Sequence, residues 1–332
     1  MNIRYVDAEE VTRRLDMNTC IAIMRQVFSE VVSGSSRSIL RSVVPMNRGI
    51  LGIMPAVLPD QNVAGAKLIT VVHDNASRSL PGHQGIVAAF NASDGSLLGI
   101  CDGTAITAIR TAAVSALATD VLANSDVQTL CILGSGVQAD MHLNAICRVR
   151  PIRIVKVWSR SIEHAERFSQ KWQSRYPDIS IRSCTSAQEA VEGADIICTV
   201  TPSSTPILQG EWVKVGAHIN AVGACAAKDR ELDSECIRRA KLVCDSEHAC
   251  RSESGDFLIP LKEGVIGEGH LLASLGDVIT RRKRIRTSVF DITCFESLGL
   301  AEEDLACATY LLEMEPTASC FHSVNPVESQ II

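Results

Sequence analysis

What this chain lacks narrows the field first. No apolar run approaches the ~18 residues of a membrane span, and the opening Met-Asn-Ile-Arg-Tyr-Val-Asp has no signal-peptide core, so a cytosolic protein that does not engage membranes is expected. Excess positive charge is also missing. The 32 Lys and Arg against 38 Asp and Glu leave a formal net charge of −6, which offers nucleic acid no footprint. The run Arg281-Arg282-Lys283-Arg284-Ile285-Arg286 is the single counter-signal, and it reads as a solvated helix end or loop. Thirteen cysteines are present, but none falls as C-x-x-C or beside a His pair at ligand spacing, and no two of the 8 histidines stand at i, i+3 or i+4. Neither disulfides nor a metal centre is expected, and Cys131, Cys198 and Cys244, in apolar strands, act as small hydrophobes.

What is there begins with residues 129–139, Thr-Leu-Cys-Ile-Leu-Gly-Ser-Gly-Val-Gln-Ala. An apolar strand runs into Gly134-Ser135-Gly136-Val137-Gln138 and a small Ala139, the G-x-G-x-x-A form of the dinucleotide fingerprint. Gly134 permits the tight turn, Gly136 lets the backbone approach a pyrophosphate, and the helix that follows presents free N–H groups to an anion. A second strand, 154–158, ends in Ser159-Arg160-Ser161 where an NAD enzyme usually carries an acidic residue for the ribose. Two hydroxyls and a cation suit a 2′-phosphate, so NADP(H) is expected over NAD(H), with NAD(H) the alternative.

The alternation continues as helix 162–176, strand 179–184, helix 187–191 and strands 196–199, 217–222 and 242–245, a doubly wound parallel sheet. Ligands bind beyond the carboxyl ends of such strands, which makes Thr199-Val200-Thr201 and Val222-Gly223 candidates. Upstream the pattern differs. Strands at 42–45, 49–56, 64–72 and 85–91, joined by turns, predict a mostly antiparallel sheet preceded by an amphipathic helix through Ile21–Val31. At 332 residues the chain should form two domains: 1–115 with 293–332, and a dinucleotide-binding 116–292, with a loose tail from Pro316.

Three cations stand out in the first domain. Arg41 precedes a strand, Lys67 interrupts an apolar one, and Arg110 is the only charge in the helix 103–119. So apolar a helix is buried, and Arg110 has no acidic residue within four positions, so it needs either a partner from elsewhere in the fold or a bound carboxylate.

Together these residues resemble the ornithine cyclodeaminase/mu-crystallin family. The likeness rests on Arg41-Ser-Val-Val-Pro45, Gly49-Ile-Leu-Gly-Ile-Met-Pro-Ala56, Asp102 to Ser115, Cys131 to Ala139, Gly210-Glu-Trp-Val-Lys214, Gly216 to Gly223 and Ser297-Leu-Gly299, and runs to about Met314. It implies an α/β protomer: a Rossmann domain plus an α+β substrate domain through which two copies pair as a homodimer. It also implies that Arg41, Lys67 and Arg110 bind the carboxylate of an amino or imino acid, with Lys67 and Arg110 catalytic, and that Ser297 and Gly299 join the cofactor site. His83 is either polar lining of that site or an ordinary turn or core residue. Cyclodeaminases of the family look to need an Asp where Cys225 stands and a Glu where Gly52 stands, and mu-crystallin-like members an acid one position from Asp229. The expected reaction is NAD(P)H-dependent reduction of a cyclic ketimine or 2-imino acid. An alanine-type dehydrogenase, an ornithine cyclodeaminase and a non-catalytic NADPH or hormone binder are the alternatives.

Overall fold

Period-two alternation between residues 37 and 102 folds as strands, and continuous apolar runs between 129 and 296 fold as strands buried on both faces. In chain order the elements are β1 (Asn2–Val6), α1 (Ala8–Arg14), α2 (Met17–Ser33), β2 (Arg37–Ser38), β3 (Ser42–Pro45), β4 (Ile50–Leu58), β5 (Val63–Val71), β6 (His83–Asn91), β7 (Leu97–Asp102) and α3 (Gly103–Leu122). Then follow β8 (Thr129–Leu133), α4 (Val137–Val149), β9 (Ile154–Trp158), α5 (Ile162–Gln173), β10 (Ser180–Ser183), α6 (Ala187–Val191), β11 (Ile196–Thr199) and β12 (His218–Ala221). The chain ends with α7 (Ser234–Arg239), β13 (Ala240–Cys244), α8 (Glu247–Glu253), α9 (Gly255–Lys262), β14 (Leu271–Ser274), α10 (Leu275–Ile279), β15 (Ile292–Glu296), α11 (Ala301–Glu313) and β16 (Phe321–Ser323). The computed structural model describes residues 2–72, 75, 78, 80–314 and 321–323. They divide into two units: one holds the described residues up to Ile23, Ser33–Arg110 and those from Leu300 on, the other Met24–Val32 and Thr111–Gly299.

In the first unit the sheet order is β16-β1-β7-β6-β5-β4-β2, with β3 also on β4. Its pairs are antiparallel except β1 with β7. Helix α11 packs across β4, β5, β6 and β7, against the face that carries Gly52, Met54, Ala56 and Leu58, all buried. Close approach there depends on Gly65, where an added Cβ would lie 2.6 Å from Leu305 Cδ1 and 2.3 Å from the Ala88 carbonyl oxygen.

In the second unit the order is β10-β9-β8-β11-β12-β15-β13-β14, all parallel. The chain winds outward from β8 in both directions, so the switch in strand order lies between β8 and β11. The doubly wound expectation is met.

Several expectations need correction. The stretch from residue 293 does not return whole to the first unit: β15 inserts between β12 and β13, and the change comes at Leu300. Its five residues are all buried, as in a parallel sheet covered on both faces. Strand β7, helix α1 and the short elements between 246 and 279 are additions to the expected elements, because these segments of four to eight residues carry no clear periodicity. One helix reaches membrane length by composition, but as a core helix. Helix α3 is 20 residues long with mean hydropathy 1.4 over an 18-residue window, enough by length and composition, although 78% of that window is buried inside the protein. The basic run at 281–286 is, as expected, a mostly exposed loop, and its side chains also close carbonyls: Arg282 donates to Val32 (2.8 Å), Lys283 to Leu272 (2.6 Å) and Arg286 to Leu122 (2.5 Å). The expected tail from Pro316 lies outside the described residues apart from β16, which pairs with β1.

Phe295, fully buried in β15, tests the strand's place in the second core. Phe295→Ala should cost about 3–5 kcal/mol in urea unfolding, and a loss near 1 kcal/mol would show that the strand is not enclosed.

Candidate active site

The acidic first turn of α11 decides where the cations of the first unit go. Glu302, Glu303 and Asp304 are 3%, 0% and 0% exposed, and acids suit the positive end of a helix. Lys67 Nζ donates to Asp304 Oδ2 at 2.9 Å, Arg110 Nε to Asp304 Oδ1 at 3.2 Å, and Arg110 Nη1 to Glu303 Oε2 at 2.7 Å. One carboxylate therefore joins two buried cations. Arg110 Nη2 meets no protein acceptor among the described residues. Burial drives the Lys67 ammonium down to about 8 although Asp304 pulls it up. For Arg110, burial is outweighed by Asp304 and Glu303, which raise it, so it is a fixed charge. Burial would likewise raise Asp304, but Arg110 and Lys67 hold it below the usual carboxylate range.

Register places the remaining substrate-side candidates. β3 begins with Ser42 opposite Ile53, so one further step sets the half-buried Arg41 level with Met54, which is paired with Lys67. Lys67 is also paired with Val87, and His83 lies four residues away on β6, about 13 Å along the strand and exposed. Lys67 and Arg110 meet, Arg41 shares the Lys67 row, and His83 stands apart.

In the second unit the fingerprint has its expected geometry. Gly134 has φ 131°, and a Cβ there would lie 2.8 Å from the Val200 carbonyl oxygen. Nothing lies within 4 Å of a Cβ built on Gly136, and α4 starts with no side-chain cap, leaving its first amides, from Val137 and Gln138 on, for an anion. Ser135 Oγ donates to Ser159 Oγ at 3.1 Å across the β8 and β9 ends. Arg160 is exposed. Ser161 is a helix cap: its hydroxyl oxygen accepts from the His164 amide at 3.3 Å and its O–H donates to Glu163 at 2.5 Å. A cavity of about 300 Å³ adjoins Ser135, lined by Asp140, His164, Arg167, Phe168 and Lys171.

At the other strand ends Thr199 and Val222 are buried, while Thr201 and Gly223 both turn to Glu231. The Asp245 carboxylate accepts from the Leu298 and Gly299 amides at 2.5 and 2.6 Å, which holds the loop that starts at the buried Ser297. Cys225 is exposed and Asp229 half-buried. Glu231, Asp245, Glu303 and Asp304 were all missed from sequence. None falls in a motif, and three acids opening a helix look like ordinary dipole complements.

The ornithine cyclodeaminase/mu-crystallin family model matches residues 4–316. The chain belongs to this family. Among its relatives, mouse ketimine reductase mu-crystallin is 41% identical over 310 residues, covering 92% of this chain and 95% of that one. The solved Δ1-pyrroline-2-carboxylate reductase of Thermococcus litoralis, in complex with NADH and L-proline, is 34% identical with a TM-score of 0.91, covering 94% and 97% of the two chains. An archaeal alanine dehydrogenase dimer with bound NAD is 31% identical, with a TM-score of 0.89 and coverage of 94% and 96%. In this family member Lys67, Arg110, Glu303 and Asp304 form a group of buried charges in the first unit.

Asp304→Asn would take the carboxylate from Lys67 and leave Arg110 with Glu303 in a dry site, an expected loss of about 3–5 kcal/mol by denaturant titration. A loss under about 1 kcal/mol would mean the cations find water instead.

Proposed function

We propose that this chain is an NAD(P)H-dependent reductase of a C=N bond beside a carboxylate, acting in the cytosol on a cyclic ketimine such as pyrroline- or piperideine-2-carboxylate, or on a 2-imino acid. The observation that carries this is the pair of buried cations, Lys67 and Arg110, joined by Asp304. Arg110 keeps Nη2 for a substrate carboxylate, and Arg41 shares the row of Lys67. The names of the mouse and Thermococcus relatives agree with imine reduction.

The reaction takes one hydride from the nicotinamide to the imine carbon and one proton to nitrogen, giving a cyclic amine and oxidised cofactor. Lys67, at about 8, is the proton carrier in this reading, because burial makes its ammonium ready to release a proton near neutral pH. Arg110, a fixed charge, orients the carboxylate.

The residues at the second strand end favour NADP(H) over NAD(H). Ser159 and Arg160 replace the usual acid, and His164 and Arg167 line the adjoining cavity. Pairing of two copies through the first sheet fits its outer face, where Leu68, Phe90 and Val44 are exposed. The archaeal relative is a dimer. Cys225, where a cyclodeaminase would carry an acid, disfavours ammonia release from ornithine.

Purified protein should oxidise NADPH with pyrroline- or piperideine-2-carboxylate, followed by nicotinamide absorbance. Equal oxidation with and without ketimine would sink the reading, and faster turnover of pyruvate with ammonia would favour the alanine dehydrogenase alternative. Arg160→Ala should lower the preference for NADPH over NADH roughly tenfold or more, and an unchanged preference would remove Arg160 from the phosphate site. Protonated Lys67 is the donor, so kcat/KM should fall as pH rises through about 8. If Lys67→Arg keeps that alkaline limb, the proton comes from elsewhere.

A further inference from the structure

Glu231 is fully buried between β12 and α7, and both its oxygens are spent on the backbone of two neighbouring strand ends. Oε1 accepts from the Thr201 amide at 2.7 Å and the Thr201 hydroxyl at 2.5 Å, and Oε2 accepts from the Gly223 amide at 2.8 Å. Thr201 follows β11 and Gly223 follows β12, and these strands are adjacent. The fit leaves no slack: a Cβ on Gly223 would lie 2.0 Å from the Thr201 carbonyl oxygen and 2.6 Å from the Glu231 carboxylate. Glu231 is fixed in turn, since Asp256 Oδ1 accepts from the Glu231 amide at 3.1 Å and the Leu232 amide at 2.8 Å. Burial raises the Glu231 carboxyl while its bonds to Thr201 and Gly223 oppose that rise.

Thr201 and Gly223 were expected to touch the cofactor directly. Their amides and the Thr201 hydroxyl are turned inward instead, so what these loops offer a ligand is their shape and remaining backbone. We propose that Glu231 is a positioning residue: by tying Thr201 to Gly223 it sets the spacing of the two strand-end loops that receive the dinucleotide. This rests on the reading of the chain as a nicotinamide-dependent reductase. A carboxylate suits the task because each oxygen accepts along two directions, so one side chain can hold three donors from two loops without a counter-ion.

Glu231→Gln keeps the volume but presents an NH2 where one set of donors needs an acceptor. NADPH and NADH binding would be titrated by nicotinamide fluorescence, and KM for pyrroline-2-carboxylate measured at saturating cofactor. The cofactor Kd should rise about tenfold or more, while KM for the cyclic imine changes by less than about twofold and the thermal midpoint by a few degrees. A folded variant with cofactor Kd within about twofold of the parent overturns the proposal. If Glu231→Gln does not fold, Thr201→Val, which removes only the hydroxyl donor, takes its place: a raised cofactor Kd supports the clamp and an unchanged one overturns it. A parent protein that binds neither NADPH nor NADH overturns the reductase reading. Amide hydrogen exchange then decides the clamp alone, supported if protection at Thr201 and Gly223 falls in Glu231→Gln and overturned if it persists.

Discussion

Lys67 and Arg110 are 3% and 5% exposed, and the acidic first turn of α11 is what makes that burial tolerable. A lone cation in such a place would cost several kcal/mol. Asp304 meets both and Glu303 takes a second nitrogen of Arg110, so two charges of each sign gather in one dry place. The helix that brings the acids is held on the sheet by close packing at Gly65. Substrate recognition in the proposed reaction is thus built on an internal ion network. Burial, and not a basic surface, keeps the Lys67 ammonium near 8 against the upward pull of Asp304.

The second unit meets a related problem with the sign reversed. Loop amides beyond the carboxyl ends of parallel strands have no ladder partner, and water serves them only where it can reach. Here buried carboxylates do so: Glu231 for Thr201 and Gly223, Asp256 for Glu231 and Leu232, Asp245 for Leu298 and Gly299. Each fixes a loop through the protein's own side chains, so in the proposed reductase the loops would need little reorganisation to receive a dinucleotide. Gly134 and Gly136 fit the proposed dinucleotide site by a different route, the first by a backbone angle few other residues adopt and the second by leaving space.

Features legible in the sequence were those whose cause is local. The turn at Gly134, the uncapped start of α4, the strand ending at Trp158 and the parallel alternation around them follow from residue spacing within about 30 positions. The short helices between 246 and 279 were not legible, although Ser246, Ser254 and Ser274 cap helices there by ordinary side-chain bonds. Such caps are recognisable only once a periodic run follows them, and these runs are too short. Strand β15 was read as part of the wrong unit because adjacency in sequence is a weak guide to which sheet takes a strand. Val243 and Asn220, its neighbours through Phe295, lie 52 and 75 residues upstream.

By itself, then, the sequence determined a dinucleotide fold, its glycine turn, a mostly antiparallel companion sheet and the fact that Arg110 stands in an apolar helix and must be met by an anion. Which anion was a tertiary matter. Asp304 is 194 positions from Arg110 and 237 from Lys67, and only the packing of α11 on the sheet brings the three together. The same holds for Glu231, which lies 30 residues from Thr201. Periodicity and turn chemistry act over a few residues, whereas the pairing of buried charges and loop amides is settled by which elements share a core. That sharing is a property of the folded chain as a whole.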